Sequence, residues 1–234
     1  MLATGNAVSG GVFHLPFRDR CEAGRILAGA LYDYAGRYDT VIAAIPRGGI
    51  IVAGQCATAL NLPLSVFLIR KLGVPDQEEL AMGSITSGGI KLINRRVVET
   101  LNIPDRLLES VAIREQRELE QREQLYSRGQ PAPDFKNKVV ILVDDGIATG
   151  SSVKLAIQGL RKQGCSKVVL AVPVGPPEPL SELRQLADKV VCLAEPQPFG
   201  AVGTWYQDFH QVSDAEVCRI LDCLNARDLV LRSA

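Results

Sequence analysis

The chain has 234 residues, 47% of them apolar and 22% charged, with 26 acidic side chains balancing 26 basic ones. That length suits one domain with an appendage, and the charge balance removes any whole-chain electrostatic case for nucleic acid or an anionic membrane as partner. Six scattered cysteines without a C-x-x-C pair, and only His14 and His210 beside them, give no zinc-site spacing and fit reduced thiols.

No apolar run approaches membrane-spanning length, and no basic segment precedes Arg18, so a cytoplasmic protein is expected. Residues 1–12 are rich in Gly, Ser and Ala and are expected to fray, with Phe13 and Phe17 covering an edge of the core. Asp19 is placed to cap a helix reaching about residue 34, whose stripe is Ala23, Ile26, Leu27, Ala30 and Leu31. A strand over 40–45 runs straight into Pro46-Arg47-Gly48-Gly49. A helix over 50–60 stops at Asn61 before Pro63, and the next strand covers 64–69. Strand, helix and strand in such quick succession imply parallel pairing through a right-handed crossover.

Arg70 and Lys71 end that strand. The following GVPDQEELAMGS, which holds Glu79 and Gly83, has little periodicity and reads as a mobile loop. Short strands near 84–87 and 90–94 flank Gly88-Gly89. Asp105 then caps a charged helix over 106–127 that closes at Gly129 and Pro131. Leu107, Leu108, Val111, Leu119 and Leu125 give this helix one apolar side, and Arg114–Glu118 and Glu118–Arg122 are spaced i, i+4. Because Glu alternates with Arg, the charge run reads as a solvated face. Strands over 139–143, 167–172 and 189–193 follow, with helices over 180–187 and 214–224; Val217, Ile220, Leu221 and Leu224 face inward on the last.

The stretch VVILVDDGIATGSS, Val139 to Ser152, carries the most chemistry. Five apolar β-formers end in Asp144 and Asp145, and a small-residue turn of Gly146, Ile147, Ala148, Thr149 and Gly150 follows. Ser151 and Ser152 then open a helix that Gly164 stops. Unpaired amides and the positive dipole end make such a helix start a phosphate seat. Two carboxylates beside it suit a sugar diol or a hydrated divalent cation, although an Asp at a strand end can also serve only as a helix cap. The string lacks the spacing of a Walker A loop and the G-x-G-x-x-G of dinucleotide folds. Ligands in open parallel sheets sit outside the carboxyl ends of the strands. Two more such ends carry suggestive residues, Arg47-Gly48-Gly49 and Arg70-Lys71, and so does the aromatic segment PQPFGAVGTWYQDF. Taken alone, each also admits a bland reading as a turn, a polar strand terminus or core packing.

The complete DDGIATGSS string resembles the phosphoribosyl-pyrophosphate (PRPP) loop of the type I phosphoribosyltransferases. RGG resembles their pyrophosphate loop, where a cis peptide precedes the loop at the position of Pro46–Arg47. IRKLGVP is similar to the adenine-type enzymes, and PFGAVGTWYQDF to the base-holding segment of the 6-oxopurine enzymes with one extra residue. The combination matches a phosphoribosyltransferase-like subgroup without an agreed substrate. What the resemblance implies is an α/β fold with a parallel central sheet flanked by helices. One domain over 1–234 is expected, with a hood from about 1–20 and 195–234 and a helical insert over about 95–130.

The implied activity is Mg²⁺-dependent transfer of ribose 5-phosphate from PRPP to a nitrogenous acceptor with release of pyrophosphate. Arg47, Lys71, Asp144 and Asp145 would be the catalytic residues. Arg47, Gly48, Gly49, Arg70, Lys71 and the run Asp144, Asp145, Gly146, Ala148, Thr149, Gly150, Ser151 and Ser152 would bind PRPP. Mg²⁺ would meet Asp144 and Asp145 mostly indirectly. Phe199, Val202, Trp205, Tyr206 and Asp208 would line the base site, with Trp205 or Tyr206 stacking. In 6-oxopurine enzymes the position before Thr-Gly is an Asp that handles a purine ring proton; here it is Ala148, so adenine or another nitrogenous acceptor is expected first. Partners are PRPP and a small acceptor, not nucleic acid or membrane, with homo-oligomerisation left open. A PRPP- or nucleotide-sensing module of the same fold, and a sugar-phosphate enzyme of another reaction type, are the alternatives.

Overall fold

The computed structural model describes residues 13–75, 77–127 and 134–232. The stretch expected to fray, 1–12, and the expected helix stop at Gly129 and Pro131 lie outside the described residues. In order, the chain forms α1 (Arg20–Ala30), β1 (Thr40–Ala44), α2 (Gly49–Leu60) and β2 (Leu64–Val66). Then come β3 (Ile69–Val74), β4 (Gln77–Thr86), β5 (Ile90–Ile93), α3 (Arg95–Thr100) and α4 (Asp105–Ser127). The second half is β6 (Val139–Val143), α5 (Ser151–Lys162), β7 (Lys167–Val174), α6 (Pro177–Leu186), β8 (Lys189–Ala194) and α7 (Asp214–Arg232).

Five strands form a parallel sheet in the order β2-β1-β6-β7-β8. β1 and β6 are buried along their whole length, as continuous apolar runs in a sheet covered on both faces must be. Alternate residues serve opposite layers. Ile42, Ala44, Ile141, Val143, Val169 and Ala171 join the core under α1 and α2. Val41, Ala43, Val140, Leu142, Val168 and Leu170 join the core that includes Val153, Ala156 and Ile157 of α5 and Leu180 and Leu183 of α6. The chain leaves β1 for β2 on one side and returns to β6 on the other, so the strand order reverses between β1 and β6. A crevice opens at such a reversal, beyond the carboxyl ends of the two strands.

Most helix signals behave as their chemistry requires, but Asp105, expected as a cap, is the first residue of α4, and α1 ends at Ala30 rather than near residue 34. Asp19 accepts from the Glu22 amide at 2.7 Å and starts α1. Asn61 (φ 52°) ends α2, and Gly164 (φ 78°) follows α5. Ser213 and Glu216 cap α7 reciprocally: the Ser213 amide donates to Glu216 Oε2 at 2.9 Å, and the Glu216 amide to Ser213 Oγ at 3.3 Å.

Three expectations are corrected. The strand expected over 64–69 breaks at Phe67-Leu68. Phe67, fully buried edge-on to Phe135, donates its amide to Ala44 O at 2.8 Å, after which the chain leaves the parallel sheet. The segment GVPDQEELAMGS, expected as a mobile loop, instead supplies the end of β3 and most of β4, which pair antiparallel, with β5 completing a three-stranded sheet; its Asp76 lies outside the described residues. Its alternation was hidden because the register shifts on both sides of Gly73, and such a bulge resets which residues face inward. Leu72, Met82 and Ile85 are fully buried there. On α4, Leu125 is exposed rather than inward, and the inward stripe instead holds Val111, Ala112, Glu115, Leu119 and Tyr126. Among the described residues no helix is long and apolar enough to cross a membrane.

α1 and α2 pack so closely that a Cβ on Gly24 would lie 2.7 Å from Val52 O and 2.8 Å from Gln55 Cβ. Gly29, on the same helix, has nothing within 4 Å of such a carbon. Gly24→Ala should therefore cost about 1–3 kcal/mol by forcing the helices apart, whereas Gly29→Ala should gain roughly 0.5–1 kcal/mol from chain entropy. Denaturant unfolding of the two variants checks the opposite signs.

Candidate active site

The crevice between β1 and β6 is framed by two loops that touch. The Ile45 amide donates to Val143 O at 2.9 Å, which carries the pairing of the two strands one residue past β1. The Pro46–Arg47 peptide is cis, as the resemblance implied. Gly48 and Gly49 then lead into α2. A Cβ at Gly48 would lie 1.9 Å from Asp145 Oδ2, and one at Gly49 would lie 3.0 Å from Asp144 Cα. A side chain at Gly48 would run into the Asp145 carboxylate that Arg20 holds, and one at Gly49 would press tightly on the end of β6. Gly48 itself has ordinary helical torsions, φ −60° and ψ −40°.

Asp144 and Asp145 have different surroundings. Asp145 Oδ2 accepts from Arg20 Nε at 2.7 Å in a well-buried ion pair, and Asp145 O accepts from the Tyr206 hydroxyl at 2.5 Å. Arg20 also donates through Nη1 to His210 O at 2.9 Å, and its guanidinium lies 3.7 Å from the centre of the Phe209 ring. Asp144 Oδ1 accepts the Asp145 amide at 2.8 Å. Burial pushes the Asp144 carboxyl well above the usual carboxylate range, and the neighbouring Asp145 charge adds to the shift. One carboxylate of the pair is compensated by an arginine. The other is not.

Beyond them the chain makes the small turn into α5. A Cβ on Gly146 would fall 2.5 Å from Val202 Cγ1, so the short helical turn Val202–Trp205 seats directly on the loop. Ile147 turns inward and donates its amide to Val174 O at 2.9 Å, while Ala148 and Thr149 are exposed. Gly150, at φ 72°, is the N-cap of α5 and has no side-chain cap. Thr149 Oγ1 and Ser151 Oγ lie 3.1 Å apart, and Ser151 and Ser152 are exposed. Hydroxyls and helix-start amides face outward together there, a cradle for an anion.

Arg70 lies on β3 and donates through Nε to Glu115 Oε2 of α4 at 2.9 Å. The adjacent Lys71 is exposed. Arg47 is partly buried, near enough to the Tyr126 hydroxyl to oppose the rise that burial and the bond to Asp214 produce there.

In the aromatic segment, Trp205 Nε1 donates to Phe199 O at 3.0 Å, and both rings are partly buried. Tyr206 is buried, its ring 5.6 Å from Phe17 and 5.1 Å from Phe209. As a stacking surface Tyr206 is therefore already occupied by protein rings, and its role is to join the N-terminal segment to the Asp145 loop. The Phe17 amide donates to Trp205 O, and the Gln207 amide to Phe17 O, each at 2.8 Å. Asp208 is exposed, and its Oδ1 accepts the His210 amide at 3.1 Å.

Comparison with known proteins settles the family. The phosphoribosyl transferase domain matches residues 19–208. This chain belongs to the phosphoribosyl transferase family. It is 42% identical over 206 residues to "Putative phosphoribosyl transferase Rv0571c" of Mycobacterium tuberculosis H37Rv, and equally to its counterpart in strain CDC 1551. The match covers 88% of this chain and 46% of each relative, so the chain spans about half their length. The crystal structure of TT1426 from Thermus thermophilus is 40% identical, with a TM-score of 0.76 over 88% of this chain and 97% of that one.

Within this phosphoribosyl transferase fold, two charged residues at the crevice escaped the sequence reading, and both had left a signal. Arg20 falls on the buried stripe of α1 with Ala23, Gly24, Leu27 and Ala28. Glu115 falls on that of α4 with Val111, Ala112 and Leu119. A charge at helical spacing inside an apolar stripe is buried, and a buried charge needs a partner. The partners are Asp145 and Arg70.

The raised Asp144 pKa has a consequence for stability. A carboxyl whose folded-state pKa lies above its unfolded value favours folding only while protonated. That contribution is complete below about pH 4 and is lost as pH climbs through the folded value. Asp144→Asn cannot ionise, and its side-chain oxygen can still accept the Asp145 amide. The ligand-free variant should melt higher than the unmodified protein at pH 7, with the difference closing below about pH 4. Calorimetry across that range reads it directly.

Proposed function

We propose that the protein transfers ribose 5-phosphate from PRPP to a nitrogenous acceptor with release of pyrophosphate. The observation that carries the reading is the contact of the Asp144–Ser152 turn with the Arg47-Gly48-Gly49 loop across one strand reversal. This puts an anion cradle, two carboxylates and a cationic glycine loop around a single crevice. Outward amides and hydroxyls from Ala148 to Ser152 hold the 5′-phosphate. Asp144 and Asp145 take the ribose hydroxyls, Asp145 being held in place by Arg20. Arg47 and the glycine amides receive the pyrophosphate, where charge develops as the C1′–oxygen bond breaks; donors placed before the reaction contribute most there. The acceptor nitrogen supplies the electron pair that forms the new C1′–nitrogen bond. Arg70 and exposed Lys71 add positive charge on the β3 side.

The adjacent carboxylates Asp144 and Asp145 at the crevice fit a hydrated Mg²⁺ held chiefly by substrate oxygens. When bound, the cation would neutralise charge on the donor, with Asp144 and Asp145 reaching it through water. Phe199 and Trp205 are the partly exposed aromatics beside the acceptor position, with Val202 seated against Gly146.

Pyrophosphate release from PRPP and Mg²⁺, measured against a panel of nitrogenous bases, tests the reaction. Stabilisation by PRPP without release of pyrophosphate in any mixture would make the protein a nucleotide sensor instead. Gly150→Val should abolish thermal stabilisation by PRPP, because it loses the φ 72° turn and meets Leu183 Cδ1 at 3.2 Å. Unchanged stabilisation would remove the phosphate from this turn.

The exposed methyl of Ala148 can neither give nor take a proton. Turnover is therefore expected with adenine or another nitrogenous acceptor ahead of hypoxanthine, guanine or xanthine. Ordinary turnover of hypoxanthine by the unmodified protein would overturn this. Its appearance only after Ala148→Asp would support it.

A further inference from the structure

A cavity of about 110 Å³ lies beside the glycine loop, with Pro46, Leu68, Arg70, Leu119, Arg122 and Ser152 in its wall. Four elements meet there: the end of β1, the passage from β2 to β3, the inserted helix α4, and the first turn of α5. We propose that Arg122 of α4 is an anion-binding residue of the substrate site, closing on the pyrophosphate end of the phosphoribosyl donor. The proposal rests on the donor reading given above.

Three observations support it. First, Glu115, Leu119, Arg122 and Tyr126 are spaced four, three and four residues apart, so they share one face of α4. Glu115 and Tyr126 bond across to Arg70 and Asp214, and Leu119 is fully buried. The face of α4 that carries Arg122 is thus docked against the body of the protein. Second, Arg122 is uncommitted. The expected pair with Glu118 does not form, and among the described residues Arg122 makes no ion pair or side-chain hydrogen bond. Third, the local charge is unbalanced. Glu115 is shared by Arg70 and Arg114 at 2.7 and 3.1 Å, so its carboxylate is already taken up by two other guanidiniums. An unspent guanidinium in the wall of a cavity next to a glycine loop matches the planar fork that phosphate oxygens take.

The position also selects which phosphate. Pro46 in the wall belongs to the loop proposed for pyrophosphate; the 5′-phosphate cradle touches the cavity only through its last residue, Ser152, while Thr149 and Ser151 lie outside the wall. Arg122 should therefore act on one end of the donor and not on the other.

Calorimetric titration with inorganic pyrophosphate, PRPP and ribose 5-phosphate, at fixed ionic strength, tests this. Arg122→Ala should weaken pyrophosphate and PRPP at least tenfold and change ribose 5-phosphate less than twofold. Arg122→Lys, which keeps the charge and loses the fork, should fall between. Arg117→Ala removes another exposed arginine of α4 and should change none of the three. Equal losses from Arg117→Ala and Arg122→Ala would reduce the effect to general charge and overturn the assignment, as would unaltered pyrophosphate binding in Arg122→Ala. Arg122-dependent pyrophosphate binding with no PRPP turnover on any base would sink the transferase reading while leaving the anion site standing. No pyrophosphate or PRPP binding by the unmodified protein would remove both.

Discussion

A side-chain carbon at Gly48 would fall 1.9 Å from Asp145 Oδ2, and the rest of the crevice follows from that contact. Ala44 of β1 pairs in register with Val143 of β6, so the residues just past both strands emerge side by side. A side chain at Gly48 would displace the Asp145 carboxylate from Arg20, and one at Gly49 would crowd the end of β6. With glycine at both, backbone comes within van der Waals distance of two carboxylates. The separation that glycine permits sets the width of the crevice. It also puts the cationic Arg47 loop beside the acidic one without a direct ion pair between Arg47 and either Asp among the described residues.

That proximity creates an electrostatic problem which the fold solves only halfway. Two adjacent carboxylates in a sparsely solvated position repel one another and lose hydration. Arg20 arrives from α1 to compensate Asp145, and Phe209 and His210 O hold its guanidinium in place. Among the described residues no cation pairs with Asp144, whose partner is a backbone amide. The site therefore holds an acid without an ion-pair partner among the described residues, at the point where a sugar diol or a hydrated cation is proposed to bind. Perturbed acids gather at sites of that kind because a ligand, rather than the protein, completes them.

The same crevice is roofed by segments distant in sequence. The N-terminal segment joins 205–208 through Phe17 and Tyr206, and the Tyr206 hydroxyl reaches Asp145 O. Val202 seats on Gly146, where a methyl group would collide at 2.5 Å. α4 comes from the other side and fixes Arg70 through Glu115. The inserted helix is thus part of the surroundings of the site, although its charge pattern reads as that of a solvated surface helix.

The sequence by itself determined the parallel sheet, because buried strands need continuous apolar runs and β1 and β6 supply them. It determined the chemistry of the strand-end loops as well, since Asp144 to Ser152 and Arg47 to Gly49 are contiguous and their spacing is local. The register shifts on either side of Gly73, where β4 carries the extra residues, hid the hairpin of β3 and β4, because such a shift exchanges inward and outward residues and erases the period. Only the tertiary structure decided the partners of the buried charges. Arg20 and Asp145 lie 125 residues apart, and Arg70 and Glu115 lie 45 apart. A charge on an apolar stripe announces that it needs a counter-charge, but which one it meets depends on how helices dock against strand ends. The roles within the aromatic segment were settled the same way. Tyr206 and Trp205 are adjacent in sequence, and the packing of Phe17 and Phe209 buries one ring while the other remains partly open.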